Sequence, residues 1–363
     1  MIVVAKVGTS SITSDTGEID ASAIAKFCGE VVTLRRAGHR VVMVTSGAIA
    51  AGLPALGLST ARPRDAVTLQ AASAVGQSRL MGVYDEALAA GGLIGGQVLL
   101  APLDFMVRQQ YLHARSTLTR LLELGVVPVV NENDAIADDE IRFGDNDRMA
   151  ALVAHLIGAD LLVLLTDQPG LLTGDPRFDA EASLIEEILE VDHTLEAMAG
   201  GVGSDRGSGG MASKLAAAKI AAWSGVRAVI AQADRPDVLV DAVSGQSGIG
   251  TVVVPRGRRL PARKLWIAFA VGSSGIVVVD GGAKRALLER GVSLLPAGVT
   301  GVKGSFEADA AVEIAGPDGD VFAKGLCRLD AAGLREVSGL RTSDLPEGIT
   351  HEVVHRDDLV VLP

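Results

Sequence analysis

The chain has 363 residues, 48% of them hydrophobic, which is enough to bury a full core and is typical of about two domains. Its net charge of −11 argues against a protein that coats nucleic acid, because such a surface needs an excess of Lys and Arg. Two cysteines are too few for a disulfide framework, and the lack of a basic leader or of about 18 consecutive apolar residues predicts a cytoplasmic protein with no membrane segment.

The first apolar run, residues 2–7, predicts a buried parallel strand that ends at the loop Gly8-Thr9-Ser10-Ser11. Lys6 lies at the exit of this strand. A lysine is usually a solvated surface charge. Here the nearby Val3, Val4 and Val7 argue against a surface position, so we expect Lys6 to point into a site at the carboxyl end of the strand.

The apolar periodicity that follows predicts a helix that ends at Gly38. Residues 40–45 are predicted to form the next strand, which completes a βαβ unit. The strand leads into a segment of small residues, 46–52, that allows a ligand to approach the backbone and the start of a helix. Ser46 has two interpretations of equal weight, a helix N-cap or a ligand contact.

Strands and helices alternate along the following residues: helix 65–88 with a break near Gly76, strand 94–100, helix 109–124 and strand 126–130. This alternation predicts an α/β fold, with an open, mainly parallel sheet sandwiched by helices. Ligands of such folds bind at the carboxyl ends of the strands.

The acidic segment that follows is the strongest candidate for chemistry. Apolar residues at 149, 152, 153, 156 and 157 predict a helix that Gly158 ends. Carboxylates and carboxamides crowd its start and the preceding strand end: Asn131, Glu132, Asn133, Asp134, Asp145, Asn146 and Asp147. A helix cap needs one such residue. Because far more carboxylates and carboxamides are present than a cap needs, the segment favours a polar ligand site.

Two later segments indicate a second ligand. Strand 161–165 ends at Thr166 and Asp167, which places this pair at the same sheet edge. A glycine loop, 207–214, opens a helix and presents the amides that bind phosphate. Lys214 lies in the first turn, where the helix dipole disfavours a cation, so an anion explains it better than helix stability does. The loop matches neither a Walker nor a Rossmann pattern.

The remaining sequence predicts two more sheet strands, a boundary and a second domain. We assign residues 1–256 to the α/β domain, 257–274 to a basic linker and 275–363 to a small, mainly β module. Within this module the sequence predicts a helix at 283–290 and a hairpin turn at 316–319. Nine Lys or Arg against fourteen Asp or Glu give the module a net charge of −5.

Taken together, these motifs resemble the glutamate 5-kinase family, in which an amino acid kinase domain precedes a PUA domain. The resemblance covers nearly the whole chain. It rests on AKVGTSS from Ala5, TSGAIAAG from Thr45, VNENDAIA with FGDNDRMAALVA, LLTDQPGLLTGDPR from Leu164, GSGGMASKL from Gly207 and GIVVVDGGAKRALLERG from Gly275.

The resemblance implies roles for individual residues. The substrate-binding set for L-glutamate is Ser46, Asp134 and Asn146. Lys6 and Lys214 are implied to stabilise the transferring phosphoryl group, with Asp147 ordering both lysines. The implied ATP-binding set is Lys6, Thr166, Asp167, Ser208, Gly209, Gly210, Met211, Ala212, Ser213 and Lys214.

The implied reaction is ATP-dependent phosphorylation of the glutamate side-chain carboxylate to L-glutamyl 5-phosphate, the first step of proline biosynthesis. Mg²⁺ is expected to travel with the nucleotide, with no assigned protein ligand. The resemblance also implies a homo-oligomer and a hand-off of product to a glutamyl phosphate reductase. Two alternatives stay open, a family member with another acceptor and a PUA-bearing RNA-binding protein. The acidic C-terminal module disfavours the second.

Overall fold

The computed structural model describes residues 1–14, 16–58, 63, 65–136, 146–174, 179, 181–200, 210–257, 259–346, 348 and 350–362. The chain divides into two compact units, Met1–Arg259 and Leu260–Pro363. Among the described residues, none of the helices combines the length and the apolar run that a bilayer crossing requires.

The first unit is built on an eight-stranded sheet with the order β3-β4-β2-β1-β5-β7-β8-β6. Every neighbouring pair is parallel except β7 and β8, which are antiparallel. The mainly parallel α/β fold predicted from the alternation is therefore confirmed. The strands are β1 (Ile2–Lys6), β2 (Arg40–Val44), β3 (Gly95–Leu100), β4 (Val127–Glu132), β5 (Leu161–Thr166), β6 (Glu187–Ile188), β7 (Arg227–Gln232) and β8 (Gly250–Val253).

Helices cover both faces of this sheet. They are α1 (Ala21–Arg36), α2 (Ala48–Ala55), α3 (Ala66–Ala90), α4 (Pro102–Met106), α5 (Arg108–Glu123), α6 (Asn146–Ile157), α7 (His193–Ala199), α8 (Met211–Trp223) and α9 (Val238–Ser244). Helices α1, α3 and α9 share one hydrophobic core with Val3 and Ala5 of β1. Helices α6 and α8 pack against each other and against the central strands. Since strand side chains alternate between faces, Val4 and Lys6 point toward the α6–α8 side.

The predicted helix ends follow from local chemistry. Asp20 begins α1, where its carboxylate accepts the backbone N–H groups of Ser22 and Ala23. Gly158 and Gly225 end α6 and α8 with positive φ angles of 64° and 72°. Only glycine adopts this left-handed conformation without strain, which is why both helices stop at these residues, as the sequence predicted for Gly158.

The predicted break near Gly76 is wrong, because α3 continues from Ala66 to Ala90. Gly76 instead permits a close crossing of α2 and α3. A Cβ atom at this position would lie 1.8 Å from the carbonyl oxygen of Ala48, and one at Gly52 would lie 1.8 Å from that of Ala72. The two glycines therefore serve contact between helices, a tertiary requirement that overrides the low helix propensity of glycine.

The second unit contains a five-stranded sheet with the order β10-β9-β11-β12-β13. Strands β9 and β11 are parallel, and the other pairs are antiparallel. The strands are β9 (Gly275–Val279), β10 (Val299–Gly304), β11 (Ala311–Ala315), β12 (Val321–Leu326) and β13 (Leu359–Val361). The helices are α10 (Ala262–Leu265), which continues as a π-helix (Trp266–Ala270), α11 (Gly281–Arg290) and α12 (Ala331–Val337).

Two local features of the second unit concern sequence predictions. The hairpin turn at 316–319 is present between β11 and β12, with Gly319 at φ 88°. The segment 257–274, predicted as a linker, contains α10 and the π-helix. Two of its basic residues have partners within the second unit, since Arg263 pairs with Asp358 and Lys264 donates to the carbonyl of Arg356.

Candidate active site

Three elements bring charged side chains together at the carboxyl end of β1. Lys6 is the last residue of β1, Asp147 lies in the first turn of α6, and Lys214 lies in the first turn of α8. All three side chains are buried; Lys6 and Lys214 are only 5% and 6% exposed. The packing of α6 against α8 explains how residues so far apart in sequence meet.

Asp147 bridges the two lysines. Its Oδ1 lies 2.6 Å from Lys6 Nζ, and its Oδ2 lies 3.2 Å from Lys214 Nζ. The hydroxyl of Ser213 donates to the same Oδ2 at 2.7 Å. Two ammonium groups and one carboxylate leave this lysine cluster (Lys6, Asp147 and Lys214) with a net charge of +1. Counted over these three described side chains, the excess positive charge is costly to bury, and an anion that joined them would offset it.

The electrostatics keep Asp147 ionised. Burial alone raises the pKa of a carboxyl group, because it disfavours the charged form. For Asp147 the attraction of Lys6 and Lys214, with hydrogen bonds from Lys6 and Ser213, outweighs burial and lowers the pKa below its usual value. The carboxylate therefore remains a fixed anion that orders both ammonium groups.

The residue before Asp147 belongs to a second polar group. Asn146 donates through Nδ2 to Ser46 Oγ at 3.1 Å. Ser46 does not cap α2, because the N-cap is Gly47, at φ 97°, and no side chain caps this helix end. Of the two interpretations of Ser46, the structure therefore excludes the cap. Consecutive residues of α6 thus connect Ser46 to the lysine cluster.

Asp134 lies just beyond the end of β4. Its Oδ2 accepts a hydrogen bond from Ser73 Oγ of α3 at 2.9 Å. Burial raises the pKa of Asp134, and the hydrogen bond from Ser73 opposes this shift without cancelling it. A partly buried carboxylate that pairs with no cation among the described residues is well suited to a positively charged ligand group.

The residues assigned to a second ligand lie at the ends of β5 and at the start of α8. Thr166 donates through Oγ1 to Asp167 Oδ1 at 3.0 Å, and both line a cavity of about 430 Å³ with Ser10 and Lys26. The N-cap residue of α8 is Gly210, which has no side chain with which to cap the helix. Met211, Ala212 and Ser213 lie in its first turn with Lys214. Asp145, Ser208 and Gly209 lie outside the described residues.

Sequence reasoning missed two buried polar residues of α3, Ser73 and Gln77. Ser73 contacts Asp134, and Gln77 Oε1 accepts from Asn131 Nδ2 at 2.8 Å. Their spacing of four residues places them on one face of the helix. That spacing, within a stretch otherwise rich in Ala and Val, is the signal from which they could have been found.

Comparison with known proteins gives the family. The amino acid kinase family matches residues 1–232, and the PUA domain matches residues 275–349. A glutamate 5-kinase of Burkholderia multivorans is 47% identical over 364 residues, covering 99% of this chain and 97% of the relative. A glutamate 5-kinase of Pelobacter propionicus is 43% identical, with the same shares covered.

Among solved structures, carbamate kinase from Giardia lamblia bound to AMP-PNP aligns with a TM-score of 0.50 and 16% identity. The alignment covers 70% of this chain and 98% of that one. This likeness concerns the fold alone. The sequence similarity, which extends over nearly the full length of both relatives and includes both domains, carries the assignment. The chain therefore belongs to the amino acid kinase family and, within it, to the glutamate 5-kinases that carry a C-terminal PUA domain.

Proposed function

We propose that the chain transfers the γ-phosphoryl group of ATP to the side-chain carboxylate of L-glutamate, which gives L-glutamyl 5-phosphate for proline biosynthesis. The observation that carries this proposal is the lysine cluster, adjacent to Ser46 and Asn146, in a chain similar to glutamate 5-kinases over nearly its full length.

The chemistry requires the meeting of two anions. The attacking carboxylate is already ionised at neutral pH, so no general base is needed. The enzyme must hold carboxylate and phosphoryl group in line and offset charge on the phosphoryl oxygens. Lys6 and Lys214 offer two ammonium groups, each held by a different oxygen of Asp147, and the net positive charge of the cluster favours this anionic transition state.

Asp147 acts through the lysines. It holds each ammonium by a different carboxylate oxygen, which fixes their separation before the substrates arrive. Such preorganised charge costs no rearrangement during the reaction. Both oxygens already face a lysine, so this carboxylate is poorly suited to hold a metal. Mg²⁺ is expected to accompany ATP through phosphate oxygens and water, and we assign it no ligand from the chain.

The acceptor amino acid binds to Ser46, Asp134 and Asn146 in this proposal. Its ammonium group needs acceptors, and the Asp134 carboxylate supplies them. Asn146 Oδ1 is buried and has no hydrogen-bond partner in the part of the chain that the structure describes. An ammonium donor would satisfy that oxygen and offset the cost of leaving it unpaired.

ATP binds to Lys6, Thr166, Asp167 and the segment from Ser208 to Lys214. The uncapped start of α8 offers backbone N–H groups and the positive end of the helix dipole, both of which favour phosphate. In this proposal Lys214 occupies the first turn, where the helix dipole disfavours a cation, because it binds the same phosphates. The product, an acyl phosphate, is reactive, so we expect its delivery to a glutamyl phosphate reductase. The similarity to glutamate 5-kinases is the reason to expect a homo-oligomeric enzyme.

One assay tests the proposed reaction. ATP turnover should be measured with glutamate, aspartate, acetylglutamate and carbamate as acceptors at equal concentration. We expect glutamate to give a kcat/KM at least about 100-fold above the others, since a site that pairs buried polar groups with a substrate rejects analogues that lack them. Turnover with another acceptor and not with glutamate would replace this function with that of a different amino acid kinase.

A further inference from the structure

Helix α3 presents two buried polar side chains to the carboxyl end of β4. Ser73 and Gln77 are 4% and 7% exposed. Ser73 bonds Asp134, to which the proposed function assigns the ammonium group of the acceptor. Gln77 lies one turn further along the same face and contacts Asn131. The two side chains thus form a buried polar pair on one face of α3, beside the expected position of the amino acid.

The orientation of the Gln77 amide follows from the backbone. The N–H of Glu132 donates to Asn131 Oδ1 at 2.9 Å, so this oxygen must be the acceptor and the Asn131 Nδ2 must point the other way. Asn131 Nδ2 then donates to Gln77 at 2.8 Å, which requires Gln77 to present its oxygen. The assignment therefore leaves Gln77 Nε2 as a donor directed away from Asn131.

This donor is buried and has no acceptor among the described residues. Buried amide groups are almost always paired, because an unpaired one loses its hydrogen bonds to water without replacement. The buried acceptor Asn146 Oδ1 is unpaired within the same described ranges. An amino acid carries the two missing partners on a single carbon atom, a carboxylate to accept from Gln77 and an ammonium group to donate to Asn146.

We propose that Gln77 is a further substrate-binding residue, whose amide Nε2 donates to the α-carboxylate of the acceptor amino acid. The inference rests on the proposed function and refines it. The side-chain carboxylate must lie at the lysine cluster for transfer, so the α-carboxylate lies at the other end of the molecule. The ammonium group and the α-carboxylate are attached to the same carbon. Asp134, the proposed partner of the ammonium group, accepts a hydrogen bond from Ser73, which lies on the same helix as Gln77.

The test separates the donor of Gln77 from its contact with Asn131. Gln77→Glu keeps an oxygen for Asn131 and replaces the donor with a carboxylate oxygen, which repels an α-carboxylate. We expect the KM for glutamate to rise at least about tenfold, the scale for losing one hydrogen bond to a charged group, while the KM for ATP changes less than about twofold. Gln77→Leu removes both contacts and should also raise the KM for glutamate selectively.

A change of substrate provides a rescue. Glutamate α-amide carries a carboxamide in place of the α-carboxylate and can donate to a glutamate side chain at position 77. We expect Gln77→Glu to raise the ratio of kcat/KM for the α-amide over glutamate at least about tenfold relative to the unsubstituted chain. Ser78→Ala, which changes the exposed neighbour of Gln77, is the matched control and should leave the ratio unchanged.

Two results would overturn the inference. An unchanged KM for glutamate in both Gln77 variants would show that Nε2 does not face the substrate. Equal rises of the KM for glutamate and for ATP would show that Gln77 only supports the fold. Failure of the proposed function itself has a different signature, since the unsubstituted chain would then not phosphorylate glutamate at all.

Discussion

The two units of the chain use buried charge in different ways. In the first unit, Lys6 and Lys214 share the single carboxylate of Asp147, which leaves a net positive charge. In the second unit, the equally buried Lys324 donates to the backbone carbonyl of Val271. Burial of a lysine is therefore no mark of a site by itself. What marks a site is that two lysines from different elements converge on one carboxylate.

Acidic residues near helix starts likewise serve two different purposes. In the second unit, Asp280 and Asp330 each accept a backbone N–H at 2.7 Å, from Ala283 and Gly333, and so cap α11 and α12. In the first unit, Asp147 lies inside the first turn of α6 with its carboxylate bound to lysines. Capping stabilises a fold, whereas paired lysines can stabilise a reaction. The comparison predicts which substitutions change activity and which change only stability.

The largest effect is expected at the lysine cluster. Lys214→Ala should lower kcat at least about 100-fold, the scale for losing one donor to a transition state, while the fold remains intact. The matched control is Lys219→Ala, five residues later on α8, because this buried lysine pairs with Glu196, a carboxylate outside the lysine cluster. Steady-state kinetics should find the control near the unsubstituted kcat. Similar losses in both variants would mean that α8 packing, not the cluster, sets the rate.

The next effect concerns the acceptor. Asp134→Ala or Asn146→Ala should raise the KM for glutamate by about tenfold to 100-fold, since each removes an acceptor for a charged group. Binding of ATP, measured by titration calorimetry, should change far less. Asp134→Asn keeps one oxygen acceptor, so its KM for glutamate should rise less than that of the alanine variant. Equal losses of glutamate and ATP binding would show that these residues are misassigned.

Removal of the second unit should have a smaller effect. A chain that ends at Arg259 keeps every described residue of both proposed ligand sites. We expect it to phosphorylate glutamate with a kcat within about tenfold of the full chain, because a domain with its own core is not required to fold its neighbour. A folded truncation without kinase activity would show that the PUA domain completes the active site.

The smallest effect on activity is expected for a cap in the second unit. Asp280→Ala should cost about 1 kcal/mol of stability, the usual loss when a helix N-cap is removed. Thermal unfolding of the full chain should show this loss, while kcat and both KM values stay unchanged. A change in the kinetic constants would contradict the division between capping carboxylates and the carboxylate of the lysine cluster.

Much of the fold could be predicted from the sequence, because apolar periodicity and glycine stops are local signals. Lys6 and Lys214 could be predicted because each breaks a local rule: Lys6 is a lysine at the end of an apolar strand, and Lys214 is a lysine at the positive end of a helix dipole. Gly76 was misread because its role depends on a neighbouring helix. Ser73 and Gln77 were missed because polar helical residues usually face solvent, and only the packing of α3 buries them.

The most direct test of the lysine cluster as the site of transfer uses Lys6. Chain, ATP and glutamate are mixed with hydroxylamine, which converts an acyl phosphate into a hydroxamate that can be quantified. The unsubstituted chain should form glutamyl hydroxamate, and Lys6→Met should form it at least about 100-fold more slowly while still binding glutamate. An undiminished rate in Lys6→Met, or ATP consumption without hydroxamate in the unsubstituted chain, would contradict the account.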